Sequence, residues 1–588
     1  MLIIVRCDSD LTVELTVDRS TTIAYIKNVL REQLSEKKII QDCIRYKNNY
    51  IPETTTIENL SLTDNAELTY EYLDAEKSAV QFHGHRGYDI ISTKETILPM
   101  TISISAPTMI DESMRAPIDM TICVDNSGSM SNIIDLVKTS LRFLISQLGP
   151  NDRFSIVKFS DTVDIILKLT YMTLGGRERA NLAVDNLNPD GGTALCQGIT
   201  TAINIMQKRE PRKNIDNEST PISSILIFTD GEANIGPQTN DEIKSALVNK
   251  IRTTDDFSIY TFGFGTDHNA SLLQSISVFG KGMYSYIENP NMISGSLVNC
   301  VAGLMSVAAG DIHIDIESCD GSTFIDTSSS QPQMHYIDSS HIEIKVPDIQ
   351  SGEKKSFLIE VKVPQHQSSL RMVDTANEKV SQILRMSMIC SNTLLRTKDH
   401  TTKIISVSRS DAADIKENLN SEVSKNINRI LLISTMERIK YMTKYGNIIG
   451  ARIAAMDAIQ TIEKSVSGNT LYCKNLVQDL QAVLNTLKNN SSYVSTGLFL
   501  ISSSTQSHQY QRSSNPSQLR SSNSSLSSAY ITSFSQKMQS ESYIYSTSSQ
   551  NTSSASHNES NIIPLPQMLF RRNSLNSIEP IIDQYLKC

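Results

Sequence analysis

A chain of 588 residues is long enough to bury several hydrophobic cores, so a multidomain protein is expected. Its net charge of -9, with Lys and Arg scattered rather than clustered, excludes the electrostatic footprint of a nucleic-acid binder. Nine cysteines, far apart and without a C-x-x-C pair, exclude a disulfide framework and a zinc finger and point to reduced thiols in the cytosol or nucleus. The opening Met1-Leu-Ile-Ile-Val-Arg reads as a strand and not a secretory leader, and the longest apolar run, Leu297 to Ala309, is too short for a bilayer, so no membrane partner is expected.

Residues 1–74 alternate, turn helical, then alternate again. Ile3 and Val5, then Leu11, Val13, Leu15 and Val17, predict a hairpin, and Ile23, Ile26 and Leu30 mark one face of a capped helix. Short strands follow at Ile44–Tyr46 and Leu68–Leu73. This order resembles ubiquitin and its β-grasp relatives. The stretch ends Tyr70-Glu-Tyr-Leu73-Asp74 with no Gly-Gly tail, so a built-in ubiquitin-like domain is expected. In that resemblance Arg45 and Glu71 fall where ubiquitin has apolar recognition residues, which predicts poor binding of the usual helical ubiquitin-binding motifs; a domain serving only as a spacer is the other reading.

Residues 75–96 read as a linker; His83 and His85 within it have no third ligand nearby and read as a solvated loop. Residues 97–116 hold a strand, Ile97 to Ala106. Residues 117–309 then alternate strand and helix, which predicts a doubly wound, mostly parallel sheet with strands at Met120–Val124, Phe154–Phe159, Ile165–Leu169, Ile225–Phe228, Ile259–Gly265 and Met283–Ile287. In such sheets ligands bind beyond the carboxyl ends of strands. There lie Asp125-Asn-Ser127-Gly-Ser129, then Gly191-Gly192-Thr193, then Thr229-Asp230-Gly231. Two carboxylates and three hydroxyls balance a divalent cation while leaving its shell short of the roughly six oxygens that Mg2+ takes. Such a cation accepts a further carboxylate from a partner.

At these residues the chain resembles the von Willebrand factor A family. The resemblance implies a metal-ion-dependent adhesion site at Asp125, Ser127, Ser129, Thr193 and Asp230, holding Mg2+ or Mn2+, with the hydroxyls close to the metal and the aspartates acting directly or through water.

Residues 310–408 change to period two, with Ile312, Ile314 and Ile316, then Ile342, Ile344 and Val346, then Ile359, Val361 and Val363. With Ile97–Ala106 they predict a β-sandwich into which the central domain is inserted, carrying His313, His335 and His341 as exposed strand residues. Residues 409–505 return to helical spacing, with breaks at Tyr445-Gly446-Asn447 and Ser467-Gly468-Asn469 that predict a packed three-helix bundle rather than a coiled coil. Tyr260–His268, Leu297–Ser306 and Tyr493–Gln511 extend the resemblance over 97–512, to the A domain plus Vwaint region of plant RING-type ubiquitin ligases, although this chain opens without RING-finger cysteines. Residues 506–588 are serine-rich and expected to be disordered, with Arg571-Arg-Asn-Ser574 as a candidate phosphorylation site. The fold class is therefore multidomain α/β: a β-grasp, a doubly wound sheet inserted in a β-sandwich, a helical bundle and a disordered tail.

No P-loop, H-E-x-x-H, G-x-S-x-G or nucleophile with an identifiable base occurs, so a binding protein rather than an enzyme is expected. The first reading is an intracellular scaffold that grips an exposed Asp or Glu of a partner protein, with the ubiquitin-like domain bringing in ubiquitin or proteasome machinery. A non-RING component of a ubiquitin ligase is the alternative, and an adhesion protein a weaker one.

Overall fold

The computed structural model describes residues 1–553 except 8–10, 35–36, 38, 48, 61, 75–76, 110–114, 213–220, 232, 252–255, 266–267, 289–291, 366–378, 412–418, 489–496 and 514–529. Met1–Glu76 and Lys77–Tyr545 fall in separate compact units.

In the first unit, β1 (Leu2–Arg6) and β2 (Thr12–Thr16) form the expected hairpin, followed by α1 (Ile23–Gln33), β3 (Ile39–Tyr46), β4 (Asn49–Tyr50) and β5 (Ala66–Asp74). The sheet order is β2-β1-β5-β3-β4, with β1 and β5 parallel. Helix α1 starts where the Thr22 hydroxyl accepts a hydrogen bond from the Tyr25 N–H, which satisfies one orphan donor of the first turn. Its Ile23, Ile26 and Leu30 are buried with Ile3, Val5, Ile44 and Leu68, giving a β-grasp core. Arg45 Nε meets Glu71 Oε2 at 2.8 Å, so these two charges pair with each other.

The second unit opens with β6 (Gln81–Arg86), β7 (Ile90–Ser92) and β8 (Thr96–Ser105). Residues 75–96 are thus not merely a linker. Each of β6 and β7 contributes one fully buried apolar side chain, Phe82 and Ile91, too little for a period to show in the sequence.

The central domain follows: β9 (Ile118–Asp125), α2 (Ile134–Gln147), β10 (Arg153–Phe159), β11 (Val163–Tyr171), α3 (Leu174–Asp185), α4 (Leu195–Gln207), β12 (Ile222–Thr229), α5 (Asn240–Val248), β13 (Phe257–Phe264), α6 (Ala270–Phe279), β14 (Tyr284–Ile287) and α7 (Ile293–Met305). Strand order is β11-β10-β9-β12-β13-β14, parallel throughout except for β10 with β11. One face of the sheet is buried with residues of α2, α3 and α7, the other with residues of α4, α5 and α6. Strand β9 is therefore buried from Ile118 to Asp125. The chain leaves β9 for β10 on one side and later for β12 on the other, which places the topological switch at its carboxyl end.

The amino end of β9 carries a different device. Asp119 receives Arg153 through Nε at 2.8 Å and Nη2 at 2.6 Å, Arg209 at 3.3 Å, and Arg212 in close contact, all inside the fold.

Strands β15 (Val307–Ser318), β16 (Thr323–Ile325), β17 (Met334–Asp338), β18 (His341–Gln350), β19 (Lys354–Val363), β20 (Lys379–Asn392) and β21 (Thr397–Ser410) complete the sandwich. Its two sheets run β17-β18-β15-β20-β21-β7 and β16-β19-β8-β6, and their facing isoleucines and valines share one core. The central domain is inserted between β8 and β15, as expected.

Helices α8 (Ser421–Lys444), α9 (Ile448–Lys464), α10 (Leu471–Thr486), α11 (Leu498–Tyr510) and α12 (Ser533–Ser553) end the described chain. The first three pack as the expected bundle, Ala451, Ala455 and Ala458 allowing close approach. Helices α11 and α12 differ from the expectation for the serine-rich stretch from 506. In α11 the polar residues Ser502, Ser503, Gln506 and His508 are buried. They are tolerated because they find partners: Gln506 accepts from the Tyr284 N–H at 2.8 Å and donates to Ser277 Oγ at 3.2 Å. His508 bridges Asp479 and the Tyr530 hydroxyl, each at 2.9 Å. Arg512 then locks onto Glu353 and Asp348. From α12, Met538 enters the core of the central domain. Residues 554–588, with Ser574, lie outside the described residues.

Among the described residues, no disulfide joins Cys7, Cys43, Cys123, Cys196, Cys300, Cys319, Cys390 or Cys473, and no helix is long and apolar enough to cross a membrane.

Candidate metal centre

Strand β9 delivers Asp125 to the switch point fully buried, and both of its carboxylate oxygens are held. Oδ1 accepts the Ser127 backbone N–H at 2.9 Å, and Oδ2 accepts the Thr229 hydroxyl at 2.6 Å from the end of neighbouring β12. From there a chain of hydroxyls crosses the site. Ser127 Oγ and Ser129 Oγ lie 3.0 Å apart, and Ser129 Oγ donates to Asp230 Oδ1 at 2.8 Å. Four of the five residues singled out in the sequence are thereby drawn together, although Ser129 and Asp230 are 101 positions apart.

Thr193 is buried in the adjoining loop, which is tied down from three directions. Gly128 N–H donates to Gly191 O at 3.1 Å, Gly192 N–H to Asp161 Oδ1 at 2.6 Å, and Thr193 N–H to Asn234 Oδ1 at 2.7 Å. Glycine is required at 191: its φ of +74° is left-handed, and a Cβ there would lie 2.5 Å from Asp161 Oδ2.

The electrostatics are those of an uncompensated carboxylate. Burial pushes Asp125 up to about 6; hydrogen bonds from Ser127 and Thr229 pull against this, and the neighbouring charge of Asp230 adds to it. None of these influences is a cation. No group of three or more His, Cys, Asp or Glu side chains suited to a metal occurs among the described residues, so any ion here would depend on the hydroxyls as well as the two acids.

Residues 119–295 match the family of von Willebrand factor type A domains. This stretch is a von Willebrand factor type A domain. The chain is also similar to E3 ubiquitin-protein ligase WAV3 of Arabidopsis thaliana, 28% identical over 265 residues that make up 44% of this chain and 32% of the relative. The probable E3 ubiquitin-protein ligase WAVH2 of Arabidopsis thaliana is 26% identical over 305 residues, 51% of this chain and 40% of the relative. Inter-alpha-trypsin inhibitor heavy chain H3 of Rattus norvegicus is 24% identical over 237 residues, 39% of this chain and 25% of the relative. The chain thus spans less than half the length of each of these relatives. Among solved structures, a von Willebrand factor type A protein from Catenulispora acidiphila shares the fold with a TM-score of 0.54 and 15% identity, covering 72% of this chain and 96% of that one. That coverage exceeds the A domain alone, so the shared architecture includes elements around it.

The donor set of the A domain fits a hard divalent cation. Its oxygens come from hydroxyls that rotate freely and from two carboxylates, the chemistry that suits Mg2+ or Mn2+ rather than a thiolate- or imidazole-seeking metal. Asp125, Ser127, Ser129, Thr193 and Asp230 are the side chains that would hold it. Three further residues shape the site without having been singled out from the sequence: Thr229, which anchors Asp125, and Asp161 and Asn234, which anchor the Thr193 loop. Thr229 stands beside Asp230 in the motif, which is a readable hint. Asp161 and Asn234 lie 31 and 41 positions from their backbone partners, and nothing in the sequence joins them.

Proposed function

We propose that this protein is an intracellular capture scaffold whose A domain binds an exposed Asp or Glu of a partner protein through Mg2+ or Mn2+ held by Asp125, Ser127, Ser129, Thr193 and Asp230. The observation that carries the reading is Asp125 itself. A carboxylate buried at a sheet's ligand-binding edge, raised by burial to about 6 and influenced by no cation among the described residues, is costly to ionise until a metal ion supplies the missing charge. Two acids leave a divalent ion electron-poor, and a partner's carboxylate completes its shell without any bond being broken. Binding rather than catalysis is therefore the role assigned, with no membrane or nucleic acid as partner.

The β-grasp domain is assigned the link to ubiquitin or proteasome machinery. Its Arg45–Glu71 pair disfavours the usual apolar helical motifs as ligands, because docking such a helix would bury both charges. The similarity to two proteins named as ubiquitin ligases favours a second reading, a non-RING ligase component that recruits the transfer enzyme in trans.

Affinity capture by the full chain in Mg2+ followed by elution with EDTA tests the first reading. Partner recovery that depends on the ion supports it, and equal recovery with and without EDTA overturns it. Autoubiquitination by the purified chain alone would overturn the assignment as a non-enzyme.

A further inference from the structure

Two helices of the serine-rich tail lie against the A domain, and they satisfy their polar atoms differently. In α11, Gln506 reaches the Tyr284 N–H and Ser277 Oγ, and no buried side-chain polar atom from Leu498 to Tyr510 lacks a protein partner. In α12, both amide atoms of Gln539 are buried with no protein partner among the described residues. Ser296 Oγ of α7, which lines a cavity together with Ser535 of α12, is buried in the same condition. A permanently closed core pairs its buried polar atoms, because each orphan forfeits its bond to water. Lifting α12 returns these atoms to solvent, so opening recovers part of what closing forfeits.

The sequence of α12 sets the same limit. It contains no Ala or Leu, and eight of its 21 residues are Ser, so it has little helical preference of its own and forms because it docks. Docking rests on one stripe, Phe534, Met538, Ser542 and Tyr545, at i, i+4, i+8 and i+11. Met538 is buried in the cluster that holds Phe143 of α2 and Leu297 and Val301 of α7, and the Tyr545 and Phe143 rings lie 5.5 Å apart between centroids. The third position of the stripe is polar: Ser542 Oγ meets Ser294 Oγ at 2.7 Å in place of an apolar contact. Between the first turn of α12 and α7, a cavity of about 30 Å3 lined by Tyr260, Ser296, Asn299, Tyr530 and Ser535 keeps the surfaces apart. The root of the helix is anchored separately, the Tyr530 hydroxyl meeting His508 Nδ1 at 2.9 Å and the Tyr472 hydroxyl at 3.1 Å.

We propose that Ser533–Tyr545 is a releasable strap, rooted at Tyr530, that lifts from α2 and α7 as a unit while the A domain stays folded. What it uncovers is an apolar groove that takes an amphipathic helix with large apolar residues at i, i+4 and i+11, and α12 is the resident ligand of that groove in cis. Held at its root, the strap competes from a high effective concentration, so a second helix enters only when the strap is weakened.

The experiment uses the full chain in EDTA, which makes it independent of the metal reading. In hydrogen exchange, the amides of 537–545 should exchange at least about a hundredfold faster than those of Leu297–Val301 in α7. Met538→Asp should speed exchange in 537–545 about tenfold further and leave β9 and β12 unchanged. A fluorescent synthetic peptide of residues 530–545 should then bind this variant and not the wild-type chain. Ser294→Cys combined with Ser542→Cys, joined by a chemical oxidant where the two hydroxyls now touch, should slow exchange in the strap at least about tenfold, and reduction should restore it. Strap amides as slow as those of α7, or β9 and β12 amides accelerated by Met538→Asp, overturn the proposal, because α12 would then be an integral part of the A-domain core. Fast exchange that survives the disulfide also overturns it, since fraying and not lifting would be the cause. Exchange as expected, with no peptide bound to the Met538→Asp chain, overturns the groove as a helix site.

Discussion

Strand β9 holds a buried aspartate at each end, and the two are treated oppositely. Asp119, near the amino end, is enclosed by Arg153, Arg209 and Arg212, so its charge is balanced within the fold. Asp125, at the carboxyl end, is held by a backbone N–H and a hydroxyl, beside a second acid. The same residue type on the same strand is at one end a finished structural element and at the other an unfinished electrostatic one. Burial alone does not single out a candidate carboxylate; burial without a protein cation among the described residues does.

That contrast can be tested at both ends. The largest effect is expected at Asp119. Asp119→Ala leaves three guanidinium groups inside without their shared acceptor and should destabilise the A domain by about 3–5 kcal/mol, read as accelerated hydrogen exchange of β9 and β12 amides in the full chain. A loss below about 1 kcal/mol would place Asp119 among ordinary surface pairs. Next comes Asp125→Ala, expected to weaken Mg2+-dependent capture at least about a hundredfold, or about 2.7 kcal/mol, while β9 protection in EDTA is retained. Collapse of the fold instead would make the ion structural.

The third effect has a defined sign. With its ionisation raised from 3.8 to about 6, Asp125 holds its proton more tightly folded than unfolded, so in EDTA stability falls as pH rises between those values and stays low above them. Asp125→Asn, which cannot ionise, should therefore stabilise the metal-free A domain by roughly 3 kcal/mol at pH 8 and by almost nothing near pH 4. Saturating Mg2+ should reverse the order of the two proteins. The smallest effect is Thr229→Val, which removes the hydrogen bond on Asp125 Oδ2 and should cost about tenfold in Mg2+ affinity measured by calorimetry. An unchanged affinity would mean that Asp125 is positioned by its own loop alone.

Periodicity was readable wherever one side of an element is uniformly apolar. Helices α4 and α6, at Leu195–Gln207 and Ala270–Phe279, each bury one largely apolar face, and the predicted strand Met120–Val124 is the core of β9. Helix α3 carries no such signal, because its buried face consists of Gly176, Ala180, Ala183 and Val184, too small for a strong apolar stripe. Strands β6 and β7 hid in a short polar stretch. Helix α11 was obscured differently: serine and glutamine look like solvent-facing residues until a neighbour offers Gln506 a backbone N–H.

The sequence by itself determined the alternation that makes the A domain and the five oxygen-bearing residues of its motif, because both depend on short-range order: side-chain period along an element, and which residue types follow the end of a strand. Only the tertiary structure decided that Thr229, Asp161 and Asn234 serve those residues, that three arginines belong to Asp119 and none to Asp125 among the described residues, and that a serine-rich helix belongs inside. Hydrogen bonds and ion pairs between distant segments depend on how the sheet orders its strands, and a linear pattern carries no record of that order.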